Sequence, residues 1–75
     1  MRAYMFINAM QGQSLALSKA MRDVPGVQAA DAITGEYDIV AIVTARDLAD
    51  LRAIMAGVQE IPGVLRTTNC MVLAD

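Results

Sequence analysis

The chain has 75 residues, a net charge of −2, 56% hydrophobic and 19% charged side chains, no histidine and one cysteine. A lone thiol makes neither a disulfide within the chain nor a zinc cage, and six scattered basic residues form no row that would neutralise a phosphate backbone. A chain this short buries only about 60% of its unfolded surface. With disulfides and metals set aside, its stability is expected to come from association between copies.

The start, Met1-Arg2 followed by apolar Ala3–Ala9, has the outline of a signal peptide. The stretch is short, is broken by Asn8 and lacks a small-residue cleavage site, so it reads as a strand. Nothing approaches the roughly 18 apolar residues of a membrane span. The expectation is a cytoplasmic protein with a reduced cysteine, no direct DNA binding and no membrane partner.

In chain order, Arg2–Ala9 carries Tyr4, Phe6 and Ile7, which favour a strand. Gln11-Gly12-Gln13-Ser14 is a loop, with Ser14 the expected N-cap of a helix. In that helix Leu15, Leu17, Ala20, Met21 and Val24 are assigned to the buried stripe, and Ser18, Lys19, Arg22 and Asp23 to the outside. Pro25-Gly26 ends it. Val27–Ile33 is a second strand, Thr34–Glu36 a turn and Tyr37–Thr44 a third strand. The short connection predicts an antiparallel hairpin. Asp47 caps a second helix whose stripe is Leu48, Leu51, Ile54, Met55, Val58 and Ile61, with Asp47 and Asp50 favoured by the helix dipole. Pro62-Gly63 stops it, and Val64–Leu73 is the last strand.

Val24-Pro25-Gly26-Val27 recurs thirty-seven positions later as Ile61-Pro62-Gly63-Val64. At the same offset Asp23 matches Glu60, Ala20 matches Gly57, Met21 matches Val58 and Leu17 matches Ile54. Two strand–helix–strand units give the order β-α-β-β-α-β. This is an α+β, ferredoxin-like sandwich with a four-stranded antiparallel sheet and two helices on one face. The third strand is apolar on both alternating sets, with Tyr37, Ile39, Ala41 and Val43 on one and Val40 and Ile42 on the other. A half-solvated sheet would alternate more cleanly, so a second subunit is expected on the open face, about a two-fold axis.

General acid–base catalysis has no histidine to use, and the carboxylates fall mainly in caps, on helix surfaces and at the terminus. Cys70 lacks a histidine partner and is expected to be a buried, inert thiol. No glycine-rich loop cradles a phosphate, and the methionines Met5, Met10, Met21, Met55 and Met71 read as packing. No enzyme activity, metal or cofactor is expected.

Two polar interruptions remain. Gly35 either supplies the backbone freedom of a hairpin while Asp38 caps an amide, or the turn amides and the Asp38 carboxylate hold a small zwitterion. Thr67, Thr68 and Asn69 are either a hydrogen-bonded edge or a second part of that site.

Val-Pro-Gly-Val at 24–27, Ile-Thr-Gly-Glu-Tyr-Asp-Ile-Val at 33–40, an amphipathic helix and Ile-Pro-Gly-Val-Leu-Arg-Thr at 61–67 together resemble the ligand-binding domain of the Lrp/AsnC family. That module is also called RAM, for regulation of amino acid metabolism, and the resemblance runs from Ala3 to Leu73 within a single domain over 1–75. It implies a dimer that assembles further into octameric or decameric rings. It also implies a small amino-acid effector held between dimers, in the service of transcription regulation. It points to Gly35, Tyr37 and Asp38 of the turn and Thr67 of the last strand as ligand-binding residues, and their neighbours Glu36, Thr68 and Asn69 complete the candidate set. Asn69 stands where the family usually has a threonine or serine. Family regulators carry a helix-turn-helix domain before this module, whereas here the chain opens on the first strand. A stand-alone form is therefore expected, binding an effector itself or co-assembling with a full-length Lrp/AsnC regulator.

Overall fold

Each stretch of alternating or helical periodicity becomes an element in the computed structural model, in which residues 1–74 are described. The order is β1 (Arg2–Ala9), α1 (Ser14–Arg22), β2 (Val27–Ala32), β3 (Ile39–Thr44), α2 (Leu48–Gln59) and β4 (Val64–Met71). The strands form one antiparallel sheet in the order β2-β3-β1-β4, the ferredoxin-like arrangement. β2 and β3 make the predicted hairpin, with a bulge between Val27 and Ala29.

Strand alternation decides which side chains meet the helices. Ala3, Met5, Ile7 and Ala9 of β1 and Ile39, Ala41 and Val43 of β3 are buried with Leu17 and Met21 of α1 and Leu51, Ile54 and Val58 of α2. The alternate set faces away from the helices. There the registers align two rows across the sheet, Asp31–Val40–Phe6–Thr68 and Ala29–Ile42–Tyr4–Cys70.

The repeat is visible as reciprocal packing. An added Cβ at Gly26 would run into Ile54 of α2, and one at Gly63 would lie 3.1 Å from Leu17 of α1. Leu17 and Ile54 are themselves a repeat pair, so each Pro-Gly corner seats on the helix of the other unit. The corners share their hydrogen bonds too: the N–H of Val27 donates to Val24 and that of Val64 to Ile61, both at 3.1 Å.

Several expectations are corrected. Ser14 is the first helical residue and not the cap; Gln13 is the N-cap, without a side-chain bond, and its carbonyl accepts from Leu17 N–H at 2.9 Å. Ser18 is buried and Leu15 is 78% exposed, the reverse of the expected stripe. Positions 15 and 17 differ by about 200° around a helix, so both cannot face the sheet. Ser18 satisfies its hydroxyl by donating to the Leu15 carbonyl at 2.9 Å. Ala20 is also exposed, as is Leu48, one turn before the buried face of α2 begins at Leu51. Met5 and Met21 are fully buried and Met55 packs against the core, but Met10 and Met71 are exposed. Cys70 is exposed, because β4 is an outer strand and the thiol lies on the face without helices. Asp47 does cap α2, its Oδ1 accepting from Asp50 N–H at 2.8 Å.

Candidate functional site

The segment between β2 and β3 is closed by the Ile33 N–H, which donates to the Asp38 carbonyl at 2.9 Å. β2 therefore stops at Ala32 and β3 starts only at Ile39, both short of the predicted ends. Gly35 sits at the tip with φ +111, a backbone conformation that L side chains rarely adopt. Nothing lies within 4 Å of where its Cβ would be. Its requirement is conformational, and the space beside it is open.

Asp38 is tied to β1 on both its backbone and its side chain. Its N–H donates to the Ile7 carbonyl at 2.9 Å, and its Oδ2 accepts from the Ala9 N–H at 2.7 Å. The carboxylate thus takes the place of the next ladder carbonyl where the strand pairing runs out. Among the described residues Oδ1 has no hydrogen-bond partner. Glu36 is exposed, and its carbonyl accepts from Asn8 Nδ2 at 3.1 Å. Asn8, which interrupts the apolar first strand, had no assigned role in the sequence; here it anchors the turn.

Tyr37 corrects a further expectation. Strand alternation carried back from Ile39 puts it on the helix side, but its ring packs on Phe6 at a centroid distance of 5.2 Å, on the open face. The turn breaks the alternation one residue before β3 begins.

The β4 residues lie at the same end of the sheet, since Ile7 pairs with both Ile39 and Thr67. They do not form one cluster. Thr67 and Asn69 pair with the core-facing Ile7 and Met5, while Thr68 pairs with Phe6 on the open face beside Tyr37. Thr67 Oγ1 accepts from Gln59 Nε2 at 2.9 Å, a partner that no periodicity in the sequence indicates. β1 separates the turn from β4, so their backbones stand about 10 Å apart. Two open depressions, of about 290 and 340 Å³, lie elsewhere. One is lined by Arg2, Gln28 and Thr44 at the opposite end of the sheet, the other by Pro25, Ile54 and Gly57 between α2 and the first corner.

A family model for the Lrp/AsnC ligand binding domain matches residues 2–75. The chain belongs to that family. Solved structures agree on the fold. This Lrp/AsnC domain superposes on TTHA0845 from Thermus thermophilus with TM-score 0.90 and 28% identity, covering 99% of this chain and 94% of that one. It matches the hypothetical protein PHS023 from Pyrococcus horikoshii with TM-score 0.88 and 21% identity, covering 99% and 90%. Against E. coli AsnC the TM-score is 0.89 at 20% identity, covering 99% of this chain but 51% of AsnC. No protein of curated function matches it. Membership in this family makes the chain a regulatory, effector-binding type of domain. Among the described residues, no helix is long and apolar enough to cross a membrane.

Proposed function

We propose that this chain is a single-domain, non-enzymatic sensing module that self-assembles and binds a small amino acid at a boundary between copies, in the service of transcription regulation. The observation that carries the reading is the match of residues 2–75 to a ligand-binding family, in a chain whose polar turn leaves Asp38 Oδ1 without a hydrogen-bond partner among the described residues. Asp38 Oδ1 suits an ammonium, and the exposed backbone around Gly35 suits a carboxylate. Glu36 and Tyr37 flank Asp38 in the turn, while in β4 Thr67 and Asn69 share one face of the sheet and Thr68 lies on the other beside Tyr37.

Spacing favours a site shared between subunits. The ammonium and carboxylate of an α-amino acid lie within about 4 Å of each other. The turn and Thr67 of one chain stand about 10 Å apart across β1. A second copy that brings its own turn to β4 closes that gap, within a dimer or a larger octameric or decameric ring. The open sheet face supplies a reason to associate, because Tyr4, Phe6, Val40 and Ile42 remain partly exposed on it.

A second reading has its own support. The Ala9–Asp38 hydrogen bond accounts for the carboxylate structurally, so the module could serve as an assembly partner, without ligand, of a full-length Lrp/AsnC regulator. Isothermal titration against the common amino acids separates the two. Saturable binding at no more than one ligand per chain is expected; an assembled protein that binds none leaves the partner role. Pull-down of such a regulator from cytoplasmic extract tests that role directly.

A further inference from the structure

Gln59 is the last residue of α2, and its Nε2 donates to Thr67 Oγ1 at 2.9 Å. The threonine hydroxyl has one proton to give and two lone pairs. The amide N–H occupies one lone pair, and the hydroxyl proton has no use against a nitrogen that is itself a donor. With the Gln59 amide nitrogen, and not its oxygen, facing Oγ1, the hydroxyl is left to donate away from α2; this is the one hydrogen bond of the Thr67 side chain among the described residues. Gln59 is exposed and Thr67 only half-buried, and a hydrogen bond so placed adds little to folding. Fixing the rotor of a hydroxyl, by contrast, decides what that hydroxyl recognises.

We propose that Gln59 is a positioning residue that fixes Thr67 as a donor toward the ligand and so selects a carboxylate over an amide nitrogen at that end of the site. The proposal rests on the amino-acid-binding reading above. Asp38 is the complementary end, because its carboxylate offers only acceptors. A boundary that joins a donor hydroxyl from one copy to an acceptor carboxylate from another sorts the two charged groups of a zwitterion.

The alternative polarity is built by Gln59→Glu, whose carboxylate accepts the Thr67 proton and turns the lone pairs of the hydroxyl outward. The test is a double-mutant cycle with Thr67→Val, read as the ratio of dissociation constants for each common amino acid and its carboxamide, with folding verified by circular dichroism. In the Thr67 background, Gln59→Glu is expected to shift that ratio toward the carboxamide by roughly tenfold to a hundredfold. In the Thr67→Val background the shift is expected to shrink to a few-fold. The neutral variant Gln59→Met, which releases the rotor, should move the ratio in the same direction by less. Equal shifts in both backgrounds would mean that the new charge acts on the ligand directly, and no shift would mean that Gln59 already accepts from Thr67; either overturns the proposal. Wild-type protein that binds neither amino acids nor carboxamides overturns the sensing reading along with it, whereas binding with a flat cycle overturns this inference alone.

Discussion

Asp38 has two functions to separate, one in the fold and one in recognition. Its Oδ2 satisfies the Ala9 N–H at 2.7 Å, and Oδ1 is the acceptor left for a ligand cation. Asp38→Asn keeps an oxygen that can take the Ala9 hydrogen bond but removes the charge. Urea unfolding is expected to show a loss below about 1 kcal/mol, while titration shows amino-acid affinity falling at least tenfold. Equal affinity in the two proteins would leave Asp38 with a structural function only. Single residues are also where sequence reading was weakest. Ser18 looked like a solvated position, yet one intrahelical hydrogen bond to Leu15 allows it to be buried. Cys70 looked buried because cysteine usually is, and only the strand order shows that β4 is an outer strand. Tyr37 changed faces because alternation holds only where the ladder is continuous.

The elements were far more legible, since Pro-Gly corners, Asp47 and the run Ile39–Val43 are local signals that tertiary contacts reinforce. The repeat is the clearest case. Its Gly26 and Gly63 have φ of +96 and +103, and both sit where a side chain would enter the opposite helix. In Gly63→Ala the new Cβ would stand 3.1 Å from Leu17 Cδ1 in the core, whereas Gln13 Oε1, at 2.5 Å, is the free end of an exposed side chain that can swing aside. Backbone strain and overpacking then add, for a loss of about 2–4 kcal/mol. Gly35→Ala has the strain but open space around it, so a loss of about 1–2 kcal/mol is expected. Chemical denaturation of both variants checks the order; equal losses would remove the close-packed corner from the account. The two halves of the candidate site were less legible. Gly35–Asp38 and Thr67–Asn69 are about thirty residues apart, and what unites them is β1 pairing on both sides, a property of strand order. Gln59 joins them only through the packing of α2 against β4.

At the scale of the whole molecule the two sheet faces are unequal. One is covered by α1 and α2, while the other presents Tyr4, Phe6, Val40 and Ile42 between polar ends at Arg2 and Thr44 and at Asn8 and Arg66. The outer strands differ as well. β2 has Arg22 Nε donating to its Ala30 carbonyl at 3.1 Å, whereas β4 exposes Leu65, Cys70 and Met71. An apolar centre with a polar rim is the anatomy of an interface. Burial of Tyr4, Phe6, Val40 and Ile42 against a second copy would add apolar contact to the small core that a 75-residue chain builds alone. Ile42 belongs to the open face only, so Ile42→Lys leaves the helix-covered core intact while placing a charge at the centre of the patch. Size-exclusion chromatography with light scattering is expected to show wild type as a dimer or larger at micromolar concentration. The variant should retain its circular dichroism and assemble on the order of a hundredfold more weakly. A wild-type protein that is a well-folded monomer under those conditions would remove both the shared site and the interface on which it depends.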